Sequence, residues 1–335
     1  MITQRRLIIG YILFTLSLFL NLHFSLASEL KYISIVESKD NQIVFKESFL
    51  EKANFYLCQS QDLSCQNLGD KVPTEVNLAL TDPSPQSDKI KNIKFDRTGA
   101  TRVLLSPNEK WLAYFVPSLA KKKNPREFVL LNLEATGTKR TNKLTSKVNY
   151  WDLLSEELRI FNFSPDSKYL AYLDDKDGYS TIYLVDLTKT SNLLPGKKII
   201  TKNYSVSDFL LWDKETIYFV ANRESSHSWS LYQYKWATGD LKKIAGDISY
   251  NQQMRRVGER GQEKLLFTQI INNSAIPVLY NPTTSTLEKF SALNPNPTLS
   301  GYREKEIKLT AKLNGILMTP KEMPTTPRPL IIWLH

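Results

Sequence analysis

The chain has 335 residues, 41% apolar and 23% charged, with a formal charge of +10. Those fractions belong to a chain that buries a core, and they exclude an intrinsically disordered one. The length accommodates one large domain or two ordinary ones.

The N-terminus opens with "MITQRR", a short positive segment, and residues 7–20 follow as an uncharged apolar run, "LIIGYILFTLSLFL". Ser25 and Ala27 then place small residues at −3 and −1 of a cleavage point before Ser28. This order is that of a secretory signal peptide over residues 1–27. The apolar run is short for a membrane span of about 20 residues, so cleavage is expected, with an uncleaved N-terminal anchor as the alternative. The mature chain would then be periplasmic or extracellular, and loss of Arg5 and Arg6 would leave it at +8.

Export bears on the cysteines. There are two, Cys58 and Cys65, in "NFYLCQSQDLSCQNLG". An isolated pair this close in an oxidising compartment is expected to form a disulfide. A metal site would need more ligands, and beyond the signal segment the histidines are His227 and His335. No metal or cofactor is expected.

One unit then recurs along the chain. Its fullest copy, residues 161–189, reads "FNFSPDSKYLAYLDDKDGYSTIYLVDLTK": a Ser-Pro-Asp turn, an apolar strand, a polar hairpin, a second strand and a polar turn. Residues 104–137 repeat the order with a longer hairpin. Residues 210–244 repeat it with Trp212-Asp213 in place of the Ser-Pro turn. Residues 262–290 give a fourth copy and residues 41–69 a weaker fifth. Strand signals of four to seven residues alternate with period two, and turns rich in Pro, Asp, Asn and Gly separate them. A four-stranded sheet cannot cover both of its own faces, so such units stack radially and bury one another. The fold expected is all-β, a propeller of at least five four-stranded blades over residues 28–292. A β-sandwich would not require the same turn-strand-hairpin-strand order to recur. Residues 71–94 and 191–202 could hold further irregular strands.

After Ala292 the texture changes. "NPNPTLSG" is a linker, placed over 293–305. Residues 306–335 then read as a hairpin (306–319), a Pro-rich loop and an apolar strand, "PLIIWLH". "LNGILMTP" and "RPLIIWLH" together resemble the junction at which prolyl-oligopeptidase-type serine peptidases pass from propeller to α/β-hydrolase domain. The Ser-Pro-Asp repeats are similar to the propeller of that family, and also to TolB-like and WD40-like propellers. The resemblance implies that 306–335 begin an α/β-hydrolase domain left incomplete. It implies a serine, an aspartate and a histidine further on, the serine in a Gly-x-Ser-x-Gly elbow. No Gly-x-Ser-x-Gly occurs in the 335 residues, so this chain is expected to lack the triad and not to hydrolyse peptides alone. His335 matches the first position of the family's His-Gly-Gly-Pro loop. His227, in "NRESSHSWS", reads as a solvated loop histidine.

Dipeptidyl-peptidase members of that family hold the substrate's ammonium with a pair of propeller glutamates. Glu156 and Glu157, in "NYWDLLSEELRIFNFSPD", are the matching candidates. Two carboxylates in a partly dry funnel would bind a cation and fix its distance from a nucleophile. An exposed turn with two solvated acids is the plainer reading. The basic clusters "KIKNIK" (89–94) and "AKKKNPR" (120–126) lack interleaved aromatics and do not read as a nucleic-acid surface. Attraction to an anionic membrane face or envelope polymer is their functional alternative to solvated hairpin tips. "DDKDG" (174–178) begins like a calcium loop but lacks the closing Glu, and Asp-Gly turn chemistry accounts for it.

The expected role is therefore that of an exported propeller that binds or gates peptide for a serine peptidase. The alternative is a free-standing TolB-like binding propeller.

Overall fold

A computed structural model describes residues 32–49, 52–70, 90, 93, 101–116, 126–137, 141–146, 161–174, 178–189, 193–200, 204–225, 228–248, 254–259, 261–271, 274–290, 293, 302–308 and 314–320. Their strands form five four-stranded antiparallel sheets and one hairpin, each sheet a meander in chain order. The first sheet contains β1 (Tyr32–Lys39), β2 (Gln42–Phe49), β3 (Lys52–Gln59) and β4 (Cys65–Gly69). The second contains β5 (Thr101–Leu105), β6 (Trp111–Val116), β7 (Arg126–Asn132) and β8 (Thr141–Ser146). The third contains β9 (Phe161–Phe163), β10 (Tyr169–Asp174), β11 (Thr181–Asp186) and the two-residue β12 (Lys197–Lys198). The fourth contains β13 (Val206–Leu211), β14 (Thr216–Ser225), β15 (Ser228–Lys235) and β16 (Asp240–Ala245). The fifth contains β17 (Arg255–Val257), β18 (Lys264–Ile271), β19 (Ser274–Asn281) and β20 (Thr286–Lys289). The hairpin pairs β21 (Tyr302–Lys308) with β22 (Asn314–Pro320), starting four residues before the expected Glu306. All five sequence copies are thus sheets, and the expected propeller is the observed fold.

Period-two alternation explains why both faces of the second to fifth sheets are buried. In β11, Tyr183 and Val185 pack toward the second sheet against Phe128 and Leu130. Ile182 and Leu184, one residue out of step, pack toward the fourth sheet against Phe209 and Leu211. The fourth and fifth sheets meet through Tyr218, Val220 and Leu231 on one side and Leu265, Phe267 and Val278 on the other. Each such large apolar side chain contributes roughly 1.5–3 kcal/mol.

The decisive contact lies between the fifth sheet and the first. Val257, Leu266, Leu279 and Phe290 share one core with Ile33, Ile43, Phe45 and Cys58. Phe45 and Phe290 meet edge to face at 5.3 Å. The described sheets therefore pack in the order second, third, fourth, fifth, first, the last in sequence seated on the first. Aromatic contacts occur at three further seams: Phe128 stacks on Tyr172 at 5.2 Å, Tyr169 meets Trp236 at 5.6 Å, and Tyr218 meets Tyr280 at 6.0 Å. On the second sheet, the face bearing Leu112, Tyr114 and Val129 is covered by Ile90 and Ile93.

The Ser-Pro-Asp repeat has a structural purpose. Ser164, fully buried, accepts a hydrogen bond from the Tyr169 N–H (2.9 Å) and donates to Asp166 (2.7 Å). Ser106 does the same with the Trp111 N–H (3.0 Å) and Asn108 (2.8 Å). The fourth residue of each turn, Glu109 or Ser167, takes a left-handed φ near 60°. Ser167 also accepts from the Asn108 N–H at 3.0 Å, joining the two turns. Where Asp213 replaces the serine, its carboxylate accepts from the Glu215 and Thr216 N–H groups, both at 2.7 Å. The rule kept by all three copies is a side-chain oxygen that satisfies the backbone of a tight turn before the second strand.

Cys58 and Cys65 form the expected disulfide, directly opposite each other on β3 and β4. Closing so short a loop stabilises the fold by about 2 kcal/mol in the chain-entropy picture.

Candidate functional site

First strands touch across two seams, β9 with β13 and β17 with β1, which places them on the inner edges of their sheets. Side chains on them tie blade to blade. Asn162, on β9, accepts a hydrogen bond from the Leu211 N–H of β13 at 3.3 Å. Asp208, on β13 and 1% exposed, accepts from the Met254 N–H beside β17 at 2.6 Å. A bulge between Val206 and Asp208 sets the local register of β13. Arg256, on β17, lies 4.4 Å above the Trp212 ring and donates to the carbonyls of Leu211 and Trp212. Glu263 pairs with it at 3.7 Å. Burial pushes the Arg256 pKa down, and the Glu263 and Asp213 charges oppose that. This inner rim is therefore a belt of polar ties whose groups are committed to holding adjacent blades.

A second polar feature opens at the seam between the fifth and first sheets. A cleft of about 200 Å³ is lined by Asn41, Ser60, Gln61, Gly258, Glu259, Gln262 and Lys264. Its sides are bonded together: the Asn41 amide donates to Glu259 (3.1 Å), and Lys264 donates to the Ser60 carbonyl (3.3 Å) and to Glu288 (2.6 Å). The cleft presents donors, acceptors and both charges, the chemistry of a small polar ligand. No histidine falls among the described residues, so neither feature offers a serine–histidine pair there.

Glu156 and Glu157 lie outside the described residues, in the segment joining β8 to β9. So do His227, His335, "PLIIWLH", most of the two basic clusters and the middle of "DDKDG". Of the last, Asp174 is buried at the end of β10, and Gly178 takes a left-handed φ of 85°, suited to a tight hairpin. The ties through Asn162, Asp208, Asn41 and Glu259 were not anticipated from sequence. Asp208 had a readable signal, an acid inside the otherwise apolar "VSDFLL".

The sequence profile of the dipeptidyl peptidase IV (DPP IV) N-terminal region matches residues 67–256, more than half of the chain. The chain belongs to the DPP IV N-terminal region family. The match begins within β4 and ends within β17, so it spans the second, third and fourth blades. The first and fifth blades lie almost wholly outside it and pack on each other. No curated protein matches the chain. Among solved structures, it is similar to Porphyromonas gingivalis dipeptidyl peptidase 4 at 14% identity, covering 86% of this chain and 38% of that one, with a TM-score of 0.44. TolB from Acinetobacter baumannii is 13% identical over 74% of this chain and 50% of its own, with a TM-score of 0.37. An acylaminoacyl peptidase is 11% identical over 86% of this chain and 57% of its own, with a TM-score of 0.35. This DPP IV N-terminal region chain thus spans between about two fifths and three fifths of the length of these proteins.

Proposed function

We propose that this chain is the exported propeller portion of a prolyl-oligopeptidase-like serine peptidase, of dipeptidyl- or acylaminoacyl-peptidase type, and that it binds and gates peptide substrate. The observation that carries this reading is the family match over residues 67–256. No Gly-x-Ser-x-Gly elbow occurs in the 335 residues, which is consistent with a binding role for the propeller. The signal-like segment 1–27 supports export to the periplasm or beyond. The basic clusters 89–94 and 120–126, on a mature chain of +8, support a further contact with an anionic membrane face or envelope polymer. Glu156 and Glu157 are the proposed anchors for the substrate's ammonium group.

Binding of fluorescent X-Pro peptides, read by anisotropy, tests the proposal. A peptide with a free N-terminus should bind at least ten-fold more tightly than its acetylated form, because a charge-assisted hydrogen bond contributes about 1.5–3 kcal/mol. Glu156→Gln with Glu157→Gln should remove that preference. Equal binding of the free and acetylated peptides, or no binding of either, would overturn it.

A further inference from the structure

We propose that the Cys58–Cys65 disulfide is a redox latch on one seam of the propeller, holding the first blade against the fifth when oxidised and loosening that seam when reduced. This inference concerns the seam between the fifth and first blades and does not depend on which peptide, if any, the propeller binds.

The first observation is position. Cys58 is fully buried in the core that the two blades share, among Ile33, Phe45, Val257 and Leu279. Cys65 and Leu63 pack against the same core from its edge. A disulfide on a free hairpin would influence that hairpin alone. This one is part of the joint between blades that lie about 200 residues apart in sequence.

The turn enclosed by the two cysteines supplies the second observation. It is closed by the Gln59 N–H donating to Ser64 O (2.9 Å) and the Leu63 N–H donating to Gln59 O (3.1 Å). The Asp62 carboxylate accepts from the Ser64 N–H (2.9 Å) and hydroxyl (2.7 Å). Leu63 takes a φ of 60°, in the left-handed region that a side chain like leucine disfavours. The conformation persists because both ends of the turn are held, and the disulfide holds them.

Ser60, in the same turn, connects the hairpin to the seam. Its N–H donates to Asn41 O at 2.7 Å and its hydroxyl to Asn41 Oδ1 at 3.1 Å. The Asn41 amide in turn donates to Glu259 of the fifth blade, at 3.1 Å. Lys264 of the fifth blade donates to Ser60 O at 3.3 Å. Beside them the Gly258 N–H donates to Asp40 O at 2.6 Å. When the turn relaxes, Ser60 leaves, and the polar rim of the seam loses the partner that organises Asn41 and Lys264.

The chemistry balances with a dithiol as reductant. Two electrons and two protons pass to the protein, the S–S bond breaks, two thiols form, and the dithiol closes to its own disulfide. Partly exposed Cys65 offers the route of attack. There is no free cysteine to make a competing pair. The seam would therefore be locked in an oxidising compartment and loose in a reducing one.

Hydrogen exchange on the full chain, oxidised and after reduction with a phosphine, decides this. Trapping with iodoacetamide counts the thiols in each state, and two should appear only after reduction. Peptides covering residues 40–45 and 257–266 should then exchange at least ten-fold faster, while peptides from β10 and β11 keep their protection. The Cys58→Ser, Cys65→Ser double variant should exchange like the reduced protein and ignore the phosphine. The latch is overturned if acceleration stays within residues 52–69, which would make the disulfide a local staple. It is equally overturned if all blades accelerate together, or if two thiols are trapped without reductant. Should the double variant fail to fold, the reduced and oxidised wild-type protein decide the matter alone.

Discussion

Tyr172, Tyr204 and Tyr218 keep their phenols inside the seams, and that determines how this protein responds to base. Burial raises all three pKa values, Tyr204 being pushed up to about 12 while the Arg223 charge pulls it back down. The folded state therefore keeps protons that the unfolded chain releases above about pH 10. Stability from these groups is complete below pH 10 and falls as pH rises toward 12, by about 1.4 kcal/mol per pH unit for each proton retained. Urea unfolding across that range should show the decline, and Tyr204→Phe should make it shallower by one proton. An unchanged slope in the variant would remove Tyr204 from the explanation. At this scale the sequence was partly legible. The Cys58–Cys65 pair and the turn-forming role of Ser164-Pro165-Asp166 followed from local chemistry alone. Asn162 and Asp208 did not, because the N–H groups they satisfy lie more than 40 residues away.

Elements were the most legible level. Second and third strands such as β10 and β11 carry strong alternation because both faces are buried, and their pairing follows the repeat. The outermost strands were hard to read. β8 ("TNKLTS"), β12 ("KK") and β16 ("DLKKIA") are polar, with lysines that discourage edge-to-edge pairing, so they give little apolar signal. β1 was missed as part of the weak first copy, since it directly follows the signal-like segment. The short β12 depends on close approach. A Cβ on Gly196 would sit 2.6 Å from the Leu184 carbonyl oxygen and 3.0 Å from Val185 Cγ2. Leu184 pairs with Lys197, so the backbone cannot retreat without breaking the outer strand. Gly196→Ala should therefore destabilise the protein by about 1–3 kcal/mol, the range for overpacking, as a lower urea midpoint. A midpoint equal to wild type would mean that β12 moves freely.

The whole molecule contains what local patterns could not reveal. Five similar units announce a propeller but carry no mark of which sheet meets which, and Asn41 bonds Glu259 across 218 positions. Any gating role for peptide depends on the fifth blade staying seated on the first, the seam that joins the most distant units of the sequence. That seam also joins the two blades that lie almost wholly outside the family match. A cross-link tests it most directly. Asn41→Cys with Glu259→Cys, treated with a short bismaleimide while Cys58–Cys65 stays oxidised, should yield an internally bridged monomer that migrates faster in a denaturing gel. Cross-linking only between molecules, or none at all, would contradict the seating of the fifth blade on the first.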